Sequence, residues 1–501
     1  MDRKGSVRAV AAASIVDPLA EALAHAPADA VVLAVVETDP DAGPGAAPAR
    51  LATDRRSHRG VGESAVGSPD GRFPGGAELL ARAQTALAER LGLDGDTELR
   101  PLLGHPLVLW ADDPSAERRF AAWVVRDGGL LGELLAARVT SGAPAATPDA
   151  AGHEVFTGRE DGAFARRGPL LVCAPDLASL RVVLGRRGAG GGQWSPELLG
   201  ERGLGLPADG SVARVVLDAR ALVARHAGTA GRLPWVAALG RAALTVTPVP
   251  GGLRVRARAS TDAGSLAPRD VPITSGVEPP ATRGSGRFVV ALRDPRQTLG
   301  FAERLVDAVD PQRLEGLRQA AAMLARFARF RVQEELVDQL TGSATITSPD
   351  GRGFTLCAEL ADPQVTGEAL ERLGALGRFG GPLAILAGLD LDGLELDARG
   401  GGGCVVTQNS EHLVALAVID GVLVASTDPQ ADLAAAARAP APSRAPTAGA
   451  LRAKGDTALL GELAANLPGF AGGVLARLGD PIVTARGEPE LFDVQLVLPV
   501  S

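Results

Sequence analysis

The chain has 501 residues, long for one hydrophobic core and enough for two domains of ordinary size. Its 51 Lys and Arg against 59 Asp and Glu leave a net charge of -8, which disfavours broad attraction to nucleic acid or an anionic membrane, argues against a polyanion partner and leaves room only for a local patch. No apolar run approaches the length of a bilayer-spanning helix, and three cysteines, an odd number, argue against a disulfide framework.

Arg3, Lys4 and Arg8 precede the small-residue run Ala9 to Ile15. This resembles the cleavage end of a secretory signal with a very short apolar core, so residues 1–16 are read as a separate N-terminal segment. Either the chain is cytoplasmic, or the upstream part of an export signal is missing.

Asp-Pro pairs punctuate the rest of the chain, at Asp17-Pro18, Asp39-Pro40, Asp294-Pro295, Asp362-Pro363 and Asp428-Pro429. Aspartate accepts a hydrogen bond from an orphan N–H at a helix start, and proline in the first turn gives up no bond it would have made. These acids are therefore read as caps. Asp41 to Gly76 and Ala439 to Gly449 are rich in Ala, Gly, Pro and Arg without apolar period and read as loops or linkers.

Between Pro27 and Ala259 a series of motifs runs in an order that recurs between Arg287 and Leu498. Leu107 to Trp110, the turn Asp112-Asp113-Pro114-Ser115 and Phe120 to Val125 predict a hairpin; Ala344 to Thr347, the turn Pro349-Asp350-Gly351 and Phe354 to Ala358 predict its counterpart. Val155 to Thr157, Ala163 to Ala165 and Leu170 to Ala174 lead into a helix predicted over Asp176 to Leu184. Val405 to Thr407, Leu413 to Ala415 and Val422 to Ser426 lead into one predicted to begin at Asp428. Each half closes on a hairpin, Leu244 to Ala259 and Ile482 to Leu498. There Leu253, Val255, Ala257 and Ala259 alternate with Arg254, Arg256 and Arg258, the period of a strand with one buried face.

The fold class is therefore α+β, with two tandem duplicated domains, each a mostly antiparallel sheet packed with helices. Domain 1 is read over residues 17–266, a linker over 267–285, where prolines interrupt any period, and domain 2 over 286–501.

No motif carries an obvious chemistry. His25, His58, His105, His153, His226 and His412 include no pair at the spacing of a zinc-binding helix, although His105 and His153 start strands of one predicted sheet. There is no nucleophile elbow, and the glycines at 188 and 190–192 follow a helix, whereas a phosphate loop must follow a strand. Gly400 to Gly403 likewise precede a strand. Asp390, Asp392, Glu395 and Asp397 interleave with leucines and read as a solvated acidic face rather than a calcium loop. Cys173, Cys357 and Cys404 lie in apolar strand runs and read as buried free thiols, with one Cys357–Cys404 bridge left open. Arg254, Arg256 and Arg258 could bind an anion, but the matching residues Asp493 and Gln495 are not basic, so a solvated face is the preferred reading. No catalytic residue, metal site or cofactor is assigned.

One asymmetry points to a ligand site. All four tryptophans, Trp110, Trp123, Trp194 and Trp235, belong to the first half, and Cys357 occupies the second-half position of Trp123. Large aromatics fill cores or line apolar cavities, so these four are the candidate ligand-binding residues.

The order of Pro27-Ala28-Asp29-Ala30, Leu102-Leu103-Gly104-His105-Pro106, Gly168-Pro169-Leu170-Leu171-Val172, Leu206-Pro207-Ala208-Asp209 and Asp338-Gln339-Leu340-Thr341-Gly342 resembles a bacterial family known only as domain of unknown function 3352. Its members look exported or membrane-anchored, so the resemblance implies an extracytoplasmic or envelope location, and it implies no activity. The expectation is a non-catalytic, envelope-associated or exported binding or scaffold protein, with a small apolar ligand or an envelope protein as partner and no nucleic acid. The alternatives are an enzyme with a dispersed site and a cytoplasmic interaction protein.

Overall fold

A computed structural model describes residues 17–39, 95–113, 115, 118–140, 147–148, 152–157, 162–186, 193–208, 210–249, 252–262, 264, 266–273, 286–348, 353–377, 394–399, 402–438, 451–455, 481–488 and 490–499. The described residues divide into two compact units, one of residues 17–39 with those from 95 to 201 and one of those from 202 to 499.

The first unit carries β1 (Val32–Val36), β2 (Leu107–Ala111), β3 (Arg119–Val124), β4 (Thr147–Pro148), β5 (Glu154–Thr157), β6 (Ala163–Arg167) and β7 (Leu170–Ala174), with helices α1 (Pro18–Leu23), α2 (Gly128–Thr140) and α3 (Leu177–Arg186). These strands pair antiparallel with one another, in the order β1-β2-β3-β7-β6-β5-β4. Gly168, at φ +59°, opens the two-residue turn from β6 to β7, a conformation that glycine adopts without a Cβ clash.

The second unit holds β8 (Ala213–Asp218), β9 (Leu239–Val249), β10 (Gly252–Thr261), β11 (Phe288–Leu292), β12 (Leu340–Ser348), β13 (Thr355–Leu360), β14 (Leu394–Arg399), β15 (Gly403–Gln408), β16 (Glu411–Ile419), β17 (Val422–Ser426), β18 (Leu451–Lys454), β19 (Ile482–Gly487) and β20 (Leu491–Pro499). They pair in the order β8-β9-β10-β20-β19-β18-β11-β12-β13-β17-β16-β15-β14, again antiparallel throughout. The run from β11 to β14 has the strand order that β1 to β4 has in the first unit. Asn409-Ser410 and Asp420-Gly421 all have positive φ, the geometry of the two-residue turns that match strand twist, and they close the β15–β16 and β16–β17 hairpins.

Helices α4 (Ala219–His226), α5 (Pro295–Val309), α6 (Pro311–Phe327), α7 (Pro363–Gly374) and α8 (Leu433–Arg438), with a single helical turn at Pro234–Ala237, belong to the second unit. The protein is thus α+β, with helices set against antiparallel sheet. Helix α7 buries Thr366, Ala369, Leu370 and Leu373, and the core around it is filled by Phe330, Leu340, Leu360, Leu396 and Leu423.

Asp17, Asp294 and Asp362 cap helices as the Asp-Pro pattern predicts, and Asp310-Pro311 belongs to the same set, its carboxylate accepting from the Arg313 N–H at 3.0 Å. Asp428 does not begin a helix. Its carboxylate accepts from the Gln430 N–H at 2.9 Å in a tight turn, and α8 starts five residues later under Asp432, which accepts from the Ala435 N–H. A second aspartate nearer the apolar run supplies the cap instead. The predicted linker opens on packed residues: Val271 and Ile273 are buried against Ala485 and Phe492.

A candidate anion-binding sheet face

The strand register brings together a group of side chains that lie far apart in the sequence. On β10, Arg254, Arg256 and Arg258 stand opposite Val497, Gln495 and Asp493 of β20 on one side and Thr247, Thr245 and Ala243 of β9 on the other. Beyond β9, Arg214 of β8 pairs with Thr245. Beyond β20, Arg486 of β19 pairs with Asp493 and Thr484 with Gln495, and on β18 Arg452 and Lys454 pair with Thr484 and Ile482. Residues paired across a ladder share a face, as do residues two apart. These seven cations therefore sit on one face of six adjacent strands, with Asp493 among them and the exposed pair Asp218–Arg241 at the far end of the β8–β9 ladder. The opposite face is apolar, carrying Leu253, Val255, Leu496 and Leu498 in one cluster and Phe492, Ala485 and Val494 in another.

Asp493 organises the middle of this face. Its carboxylate is 7% exposed and accepts from Arg258 Nε and Nη2 at 3.2 and 3.1 Å, from Arg256 Nη2 at 3.3 Å and from Arg486 Nη2 at 3.2 Å. Arg258 Nη1 donates further to the Leu204 and Gly205 carbonyls at 2.9 and 3.1 Å. One buried carboxylate thus holds three guanidinium groups and neutralises one of them. Arg254 and Lys454 are exposed, and Arg214 and Arg452 half-buried. A solvated face describes Arg254 but not its two neighbours: Arg258 is 16% exposed and Arg256 28%, because Asp493 draws them onto the sheet.

Trp110 and Trp123 do not converge. Trp110 and Trp123 lie on neighbouring strands, but Trp110 pairs with Phe120 and Trp123 with Leu107, so alternation sends them to opposite faces. Trp110 stacks on Phe120 at 5.5 Å, and Trp123 donates Nε1–H to the His105 carbonyl at 3.2 Å. Trp194 is buried beside Ala26, whose carbonyl accepts its backbone N–H. Trp235 belongs to the second unit and packs against Phe301 and Phe492.

The first unit has an open hollow of about 250 Å³ lined by Asp112, Arg118, Phe120, Ser179, Val182 and Val183, below the usual size of a ligand pocket and with no tryptophan in its lining. Beside it, the Ser179 N–H and hydroxyl donate to Asp176 at 2.7 and 2.8 Å and hold that carboxyl below the usual carboxylate range.

His153 is buried and His105 half-buried, and among the described residues no group of three or more His, Cys, Asp or Glu could hold a metal ion. All three cysteines are free: Cys357 and Cys404 are buried and Cys173 half-buried, and burial pushes the Cys173 thiol up to about 12 and the Cys404 thiol up to about 11. Glu395 and Asp397 fall on β14, Asp397 exposed, while Asp390, Asp392 and the glycines at 188 and 190–192 lie outside the described residues.

The sequence already shows Arg452-x-Lys454 and Thr484-x-Arg486 with the period of Arg254-x-Arg256-x-Arg258. That shared alternation is the signal by which Arg452, Lys454 and Arg486 could have been found, and Arg214 has none. It gives no hint that the three segments are neighbours.

No protein-family model matches the chain, and no curated protein matches it. Among solved structures, crystal forms III and I of TP0453 are similar at 9% and 10% identity, with TM-scores of 0.29 and 0.28. They cover 49% and 51% of this chain and 82% of TP0453 in each case.

Proposed function

We propose that this is a non-catalytic, envelope-associated or exported binding or scaffold protein that holds an anionic partner on the basic sheet face. The observation that carries the reading is the collection of Arg214, Arg254, Arg256, Arg258, Arg452, Lys454 and Arg486 on one face of a protein whose net charge is -8. An extended, pre-organised charged surface suits recognition, because it offers many weak contacts. The resemblance to domain of unknown function 3352 supports the envelope location. Among the described residues no helix is long and apolar enough to cross a membrane.

The same reading takes the two halves as duplicated copies, supported by the strand order that β1 to β4 and β11 to β14 share, and by the hairpins β2–β3 and β12–β13 at equal places in it.

Fractionation of cells making the full chain tests the location. The protein is expected in the extracytoplasmic or envelope fraction, released from the latter by high salt, with the Arg254→Glu/Arg452→Glu variant retained less. Recovery only with cytosolic markers would overturn the envelope reading.

A further inference from the structure

Resting on the anionic-face reading, we infer that the ligand of this face is a linear phosphodiester polymer without bases, laid across strands β8 to β18. Three features of the surface select that class.

The first is reach. From Arg214 on β8 to Lys454 on β18 there are five strand spacings, about 24 Å at roughly 4.8 Å each, and Arg254 to Arg258 extends about 14 Å along β10. A single phosphate or a small dianion touches one or two of these cations. Only a ligand with several anionic groups in series engages the row.

The second is the nature of the cations. Six of the seven are arginines, in a protein with lysine only at positions 4 and 454, and the planar guanidinium fork matches two oxygens of a phosphate. Asp493 and the Leu204 and Gly205 carbonyls fix the forks of Arg256, Arg258 and Arg486, so little side-chain freedom is lost on binding. Gln495, half-buried between the arginines, adds an amide donor.

The third is shape, together with what the face lacks. Adjacent strands rotate by about 20–25°, so six strands accumulate roughly 100° of twist. A flat bilayer cannot follow such a surface and would leave the drawn-in Arg256 and Arg258 untouched, whereas a flexible chain winds along it. Among the described residues aligned by register on this face are Arg, Lys, Thr, Ser, Gln, Asp, Gly, Ala, Val, Leu, Ile and Pro, and none of them carries an aromatic ring for a nucleobase to stack on.

The test uses the purified full chain and three probes at several salt concentrations: a glycerol-phosphate polymer of about twenty repeats, an oligothymidylate of equal charge, and vesicles containing a phosphatidylglycerol fraction. The polymer is expected to bind most tightly, with an affinity falling about as the third power of salt concentration if about four phosphates are neutralised. Arg254→Glu/Arg452→Glu should weaken it at least tenfold with an unchanged melting temperature. The Arg254→Gln single variant, at a position that is already exposed, should lower the salt slope even if the double variant folds poorly. Equal affinity of wild type and both variants, binding to vesicles but not polymer, or tighter binding of the oligothymidylate would each overturn the inference. Envelope retention in the fractionation experiment does not depend on which probe binds, so the two readings fail separately.

Discussion

Arg258 of β10 stands directly opposite Asp493 of β20 and donates to its carboxylate from both Nε and Nη2, at 3.2 and 3.1 Å. The two residues lie 235 positions apart, and their contact stitches the last strand of the chain to the middle of it. Asp493→Asn keeps the side-chain shape and removes the charge, leaving the guanidiniums of Arg256, Arg258 and Arg486 facing one another on a largely buried site. Breaking a buried ion pair from one side costs about 3 kcal/mol. Urea unfolding of the variant should show that loss as a lower midpoint with an unchanged slope. An unchanged midpoint would mean the three arginines are satisfied without Asp493.

The arginines should not be equivalent. Arg258 is 16% exposed and also serves the Leu204 and Gly205 carbonyls, while Arg486 is 36% exposed and gives Asp493 one bond. Truncating Arg258 takes this donor from the Leu204 and Gly205 carbonyls and removes two of the four guanidinium bonds to Asp493, so Arg258→Ala is expected to cost about 2 kcal/mol; Arg486→Ala, partly screened by water, should cost less than about 1 kcal/mol. The same urea titration measures both, and a reversed order would contradict the geometry.

What the sequence makes legible is local. The hairpins β2–β3, β12–β13 and β16–β17 follow from apolar alternation and turn residues within a few positions, and the Asp-Pro caps follow from two adjacent side chains. The misplaced start of α8 shows the limit of that rule: Asp428 and Asp432 are both good capping residues, and only packing decides between them. The basic face is a different kind of object. Arg452, Arg486 and Arg254 each sit in a strand with a polar side, but the pairing of β10 with β20 and of β18 with β19 comes from long-range ladders that alternation cannot specify. Composition groups the tryptophans in a related way, while strand parity sends Trp110 and Trp123 to opposite faces.

Gly374, at the end of α7, is held in place by closeness of approach. A Cβ there would lie 2.6 Å from Ala398 Cα and 2.8 Å from Ala398 N, both backbone atoms of β14 that cannot swing away. Gly374→Ala would ordinarily favour a helix, yet here it should destabilise by about 2 kcal/mol through overpacking. Gly300, near the middle of α5, has open space around its Cβ position, and Gly300→Ala should be neutral or stabilising by up to about 1 kcal/mol. Thermal melts of the two variants should therefore shift in opposite directions.

The cap of α7 gives a further measure. Asp362 accepts from the Gln364 and Val365 N–H groups at 3.0 and 3.2 Å, and the helix it starts buries Ala369, Leu370 and Leu373 in the core. Asp362→Ala is expected to cost about 1 kcal/mol of global stability. Asp310 caps α6, most of whose residues are exposed, so Asp310→Ala should fray that helix locally with a smaller global effect. Amide exchange near residue 313 should rise in the Asp310 variant while the unfolding midpoint moves little.

The cysteines should behave as inert thiols until the chain unfolds. Burial raises the Cys173 thiol to about 12 and the Cys404 thiol to about 11, so at pH 8 only about one part in ten thousand and one in a thousand is thiolate, against roughly a quarter for a free cysteine. Labelling of native protein at pH 8 should be slowed by at least a hundredfold at both positions relative to the urea-unfolded chain. The same shift has a stability consequence. Because the folded thiols keep their protons above the pH at which unfolded cysteine ionises, the unfolded chain gains charge first. These two groups therefore remove stability as pH rises from about 9 towards 11, and contribute no loss below about 8. Replacing Cys173 and Cys404 with alanine should flatten that alkaline decline in urea midpoints. A decline of the same steepness in the double variant would assign it to other groups.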